Sequence, residues 1–81
     1  MSDKPIGKVT HYYDKIGVAV IDVSGTLKVG DTVKFSGHEE FTQKIESIQM
    51  EHEQIQEAKK GMSVGVKVDK KVKEGDLVYP V

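Results

Sequence analysis

The apolar residues of this chain come in short pieces, and glycine closes most of them. The longest run, Gly17–Ile21, is too short to span a membrane or to form the apolar core of a signal peptide. Between the glycines β-branched residues dominate, and apolar side chains recur at every second position. Thr32–Ser36 places Val33 and Phe35 on one face, and Met62–Val68 does the same with Met62, Val64, Val66 and Val68. A piece this short cannot bury its apolar face alone. It must pair with its neighbours into a sheet, and closure of that sheet would hide the Val-rich edges.

The remaining segments extend this pattern. Ile6–Tyr13 reads as a half-buried strand, and Asp14-Lys15-Ile16-Gly17 as a polar turn after it. Val18–Val23 is nearly all apolar and predicts a strand covered on both faces. Ser24-Gly25 breaks it, and Thr26–Val29 leads into the Gly30-Asp31 turn. Phe41–Met50 predicts a strand with a bulge near Ser47-Ile48, although Phe41, Ile45 and Ile48 also fit a helical spacing. Glu51–Lys60 is rich in helix formers and predicts a short helix or helical turn capped by Gly61. Leu77–Val81 is the last strand. The expected fold is all-β: one domain over 1–81, a small closed six-stranded, mostly antiparallel β-barrel with at most one helical turn. Residues 1–5 are expected to form a disordered N-terminus.

One pattern occurs twice. LKVGDTV (Leu27–Val33) and VKEGDLV (Val72–Val78) share apolar-Lys-x-Gly-Asp-x-Val. Gly30 and Gly75 permit positive φ, while Asp31 and Asp76 are placed to bond local amides, so both pairs read as structural turns rather than as a catalytic carboxylate pair.

Composition removes whole classes of function. The chain lacks Cys, Trp, Arg and Asn. Without Cys there is no disulfide scaffold, thiolate metal site or thiol nucleophile. Without Arg there is no guanidinium fork for base edges, and a net charge of −1 gives no global basic footprint.

The same segments resemble a known family. GKV (Gly7–Val9), GVAVIDVSGTLKVGDTVKF (Gly17–Phe35), KKGMSVGVKV (Lys59–Val68) and KVKEGDLVYP (Lys71–Pro80) are similar to the β-barrel second domain of translation GTPases, such as elongation factor Tu and initiation factor two. Related barrels occur outside translation, for example as an accessory domain at the end of some U32 peptidases. The resemblance implies the barrel fold and, by analogy, contact with tRNA, the ribosome or a translation-associated protein. It does not imply GTP binding, because the chain has no P-loop motif.

Charge is segregated along the sequence. Glu39–Glu57 holds six acids against Lys44, and Lys59–Lys73 holds six lysines against Asp69. Within the second stretch, Lys67, Lys70, Lys71 and Lys73 cluster on a strand end and the turn after it. They are candidate contacts for RNA phosphate or another partner; otherwise the two charged stretches pair across the barrel or stay solvated. Tyr12 and Tyr13 are adjacent on one strand, so one ring must face outward. That ring is a candidate stacking or anchoring group, or a cover over the open end of the barrel.

His11, His38 and His52 match no metal-ligand spacing, since position 42 is Thr where H-E-x-x-H would need His. Ser24, Ser36, Ser47 and Ser63 lack a nucleophile elbow. The expectation is a cytoplasmic, non-catalytic binding module without metal, nucleotide or other cofactor, and without membrane contact. The alternative is a protein–protein adaptor with no nucleic-acid role.

Overall fold

In the computed structural model, which describes residues 4–37, 40–51 and 53–81, every regular element is a strand. In chain order these are β1 (Gly7–Tyr13), β2 (Val18–Val23), β3 (Thr26–Lys28), β4 (Thr32–Ser36), β5 (Phe41–Lys44), β6 (Ile48–Met50), β7 (Glu53–Ile55), β8 (Glu57–Lys59), β9 (Ser63–Lys67) and β10 (Leu77–Pro80). Eight of them form one sheet in the order β5-β4-β10-β1-β2-β9-β6-β7, and β3 pairs with β8. All pairings are antiparallel. The all-β class expected from the alternation is what the chain adopts.

Closure is not. β5 and β6 stand far apart in the sheet order, yet only residues 45–47 separate them in sequence. The sheet therefore curls strongly, but among the described residues no ladder joins β5 to β6, β7 or β9. It is a curled open sheet rather than a closed six-stranded barrel. The cause lies in Phe41–Met50, expected as one strand. Ile45 leaves the ladder to exchange two hydrogen bonds with the Gly30-Asp31 turn, donating to the Asp31 carbonyl and accepting from the Gly30 N–H, each at 2.7 Å. Before this break the chain pairs with β4; after it, with β9. The buried Gln43 side chain spans the seam. Its Nε2 donates to the Lys67 carbonyl (2.8 Å), and its Oε1 accepts from the Asp69 N–H (2.9 Å).

Two further expectations are corrected. The described part of Glu51–Lys60 is not helical; it supplies β7 and β8. Burial overrides helix propensity here, because Ile55 pairs with the buried Ile48 and Ala58 with the buried Leu27. Gly61 (φ 92°) lies in a turn closed by a bond from the Met62 N–H to the Lys59 carbonyl, not at a helix end. Val18–Val23 is fully covered on one face only. Ala19, Ile21 and Val23 are buried, whereas Val18 and Val20 are half-buried and Asp22 is exposed.

The repeated sequence pattern becomes a repeated structure. Gly30 and Gly75 have φ of 98° and 95°. The Asp31 N–H bonds the Lys28 carbonyl and the Asp76 N–H bonds the Lys73 carbonyl, at 3.1 and 3.0 Å. Each turn then grips one buried residue through both of its backbone groups. Gly75 donates to the Val9 carbonyl and Asp76 accepts from the Val9 N–H, both at 2.7 Å, as Gly30 and Asp31 do with Ile45. The two turns differ in their aspartates. Asp31 is exposed, while Asp76 is buried and its Oδ2 accepts from the Lys73 N–H at 3.0 Å. Pro5 is anchored beside the sheet, its carbonyl accepting from the Ser24 hydroxyl at 3.1 Å, while residues 1–3 of the expected disordered stretch lie outside the described residues.

Two outcomes follow from these contacts. Replacing Gln43 with Leu leaves the Lys67 carbonyl and the Asp69 N–H without their partner across the seam; urea unfolding should show a loss of about 1–3 kcal/mol. A Cβ at Gly37 would land on the Asp76 carboxylate. Gly37→Ala should therefore cost about 1–3 kcal/mol in the same assay, through overpacking against a fixed turn.

Candidate functional site

At the end of the sheet where β1 finishes and β2 begins, the chain brings several candidate residues together. β1 carries a register shift between Val9 and His11, and such an extra residue bends a strand. Beyond it, Tyr13 pairs with Val18, and Val18 pairs in turn with Lys67. The 14–17 turn closes on Gly17 (φ 67°), whose N–H bonds the Tyr13 carbonyl at 2.9 Å. Positive φ there lets the chain reverse within four residues.

The two tyrosines divide as alternation requires. Tyr12 is half-buried and packs against the core; Tyr13 faces outward and is 48% exposed. The Tyr13 ring lies 4.4 Å from the His11 ring, and His11 Nδ1 is 3.5 Å from a Glu74 carboxylate oxygen. Next to Tyr13, Ile16 is 64% exposed on the turn. His11, Tyr13 and Ile16, with Tyr12, Asp14 and Lys15, line an open groove of about 460 Å³. A bulky aliphatic side chain standing in water within a polar turn is the signal that sequence reading passed over here.

Residues 68–76 cross this end of the sheet. They begin where the Val68 N–H bonds the Gly17 carbonyl (2.8 Å) and finish at the Gly75-Asp76 turn beside Val9. Val68 and Val72 are buried beneath the crossing, which leaves Lys70, Lys71 and Lys73 exposed. Lys70 Nζ sits 5.9 Å from the centroid of Phe41, whose ring stacks on the buried Phe35 at 5.0 Å. The end of β9 and the crossing thus place Lys67, Lys70, Lys71 and Lys73 around the same end as Tyr12 and Tyr13, whereas Lys59 and Lys60 lie by the turn near Val23.

Among the described residues, the ion pairs formed do not join the two charged stretches. Glu40 pairs with Lys34 (3.2 Å) and Glu57 with Lys28 (3.8 Å), both lysines lying outside 59–73. His38, Glu39 and His52 lie outside the described residues. Among the described residues, no group of three or more His, Cys, Asp or Glu side chains could hold a metal ion. No helix among them is long and apolar enough to cross a membrane.

Fold and surface together define an all-β domain with an aromatic, lysine-fringed end. Residues 3–78 match the model of the peptidase family U32 C-terminal domain, and the chain belongs to that family. It is 41% identical over 76 residues to an uncharacterized protease of Methanocaldococcus jannaschii, covering 91% of this chain and 19% of that protein. It is 32% identical over 77 residues to a collagenase of Porphyromonas gingivalis, covering 91% of this chain and 21% of the relative. The C-terminal domain of a candidate U32 peptidase of Geobacillus thermoleovorans superimposes with a TM-score of 0.91 at 27% identity, covering 96% of this chain and 92% of that one. Its selenomethionine form gives 0.89 at 28% identity, covering 94% and 98%.

These findings correct the resemblance to the second domain of translation GTPases, and with it the expected tRNA, ribosome or translation-associated partner. The motifs behind that resemblance are the Gly-Asp turns and the strands they feed. They build the scaffold and carry no record of what it binds.

The exposed and buried aromatics should separate cleanly in stability measurements. Tyr13→Ser should change unfolding free energy by no more than about 0.5 kcal/mol, as for most surface positions. Phe35→Ala should cost about 3–5 kcal/mol, because Phe35 is fully buried against Phe41.

Proposed function

We infer that this chain is a non-catalytic auxiliary domain of the U32 peptidase family, one that holds a polypeptide while bond cleavage falls to another part of such a protein. The chain spans only about a fifth of the protease and collagenase relatives it matches, 19% and 21% of their lengths. Those relatives are named for acting on polypeptides, so a polypeptide is the ligand class that the family suggests. The observation that carries the reading is the outward surface at Tyr13 and Ile16: apolar groups held in water at the end of the sheet, beside an open groove. Exposed aromatic and aliphatic groups in such a setting serve as anchors for a partner chain. In this reading 1–81 is one such domain.

The purified protein, incubated with fluorescein-labelled gelatin and with labelled casein, should raise the anisotropy of the label without releasing soluble fragments. Fragment release that follows the protein through purification would overturn the non-catalytic assignment. Unchanged anisotropy with both proteins would overturn polypeptide holding.

A further inference from the structure

We propose that the upper half of β1, Thr10–Tyr13, receives an extended acidic polypeptide segment as an added strand. The proposal rests on the polypeptide-holding reading and supplies its geometry. β1 has β2 along one side for its whole length, but on its other side β10 pairs with Gly7 and Lys8 only. Val9 is held next by the Gly75-Asp76 turn. Past Val9 the register shift bends β1, and among the described residues no strand lies along that side of Thr10–Tyr13.

A strand edge with unpaired backbone groups is a template for another extended chain, and main-chain bonding recognises polypeptide as such. The groove of His11–Ile16 adjoins this edge, so alternate side chains of an added strand would meet the Tyr13 ring and Ile16. Charge selects the occupant. Lys15 on the turn, Lys67 at the end of β9, and Lys70, Lys71 and Lys73 on the crossing are exposed at this end, against Asp14, Asp69 and Glu74, whose carboxylate stands 3.5 Å from His11. A segment alternating apolar and acidic residues satisfies the edge, the ring and the lysines together.

The test is a titration of the isotope-labelled protein with a capped hexapeptide alternating Val and Glu. Two comparison peptides accompany it: the same peptide N-methylated at alternate backbone amides, and a Val/Lys version. Amide shifts should fall on Thr10–Ile16. N-methylation and the exchange of Glu for Lys should each weaken binding about tenfold, as should Tyr13→Ala in a protein whose amide spectrum is otherwise preserved. Equal affinity for the N-methylated peptide overturns strand addition without relying on any protein variant. Equal affinity for the Lys peptide overturns the acidic specificity. Failure of the hexapeptide in a protein that still binds gelatin overturns the proposal and leaves the holding function standing, whereas failure of both overturns the two together.

Discussion

The architecture depends on two matching backbone grips. In each, a glycine at positive φ donates its N–H to the carbonyl of a buried residue, and the following aspartate accepts that residue's N–H. One grip holds Val9 in β1; the other holds Ile45 between β5 and β6. Paired donors and acceptors leave neither backbone group of a buried residue without a partner, which matters because such a group is costly to bury unsatisfied. Each grip also sets the entry register of the strand after it, so that Val33 and Val78 both point into the core.

These grips explain why the sheet stays open. A residue whose two backbone groups are committed to a turn cannot pass them to a neighbouring strand. At Ile45 this interrupts what would be one continuous strand, and Gln43 spans the seam with a side-chain amide, which offers the donor and the acceptor that a peptide group would. At Val9 the same commitment comes just before the register shift, and the upper part of β1 diverges from β10. The surface at Tyr13 and Ile16 is therefore a consequence of how the core is tied down. The crossing segment 68–76 completes that end, its buried valines covering the core while its lysines remain in water.

The family assignment fits this division between scaffold and surface. Turn and strand motifs recur wherever a small sheet must curl tightly, so they resemble those of other barrel families as readily as those of the chain's own family. What ties the chain to the U32 C-terminal domain is agreement over nearly its whole length, with 41% identity to one relative and TM-scores of 0.89 and 0.91 to solved domains. The scaffold is common property; specificity has to lie in exposed residues, whose identities the fold leaves free.

Much of the fold was legible because period-two burial and Gly-Asp turns are local signals. Val33 and Phe35, Val64, Val66 and Val68, and the turns at Gly30 and Gly75 follow from neighbours within a few residues. The split at Ile45 and the strand character of Glu53–Lys59 were not legible, because distant partners decide both: the Gly30-Asp31 turn in one case, Ile48 and Leu27 in the other. The site divides in the same way. Adjacent tyrosines on a strand require by alternation that one ring face out, but which one faces out depends on the register shift in β1. The sequence by itself determined an all-β chain with two equivalent turns and no thiol chemistry, since those rest on residue type and short spacing. Only the tertiary structure decided that the sheet stays open, that Tyr13 stands in water beside Ile16, and that four lysines share that end, because hydrogen bonds between residues far apart in sequence set all three.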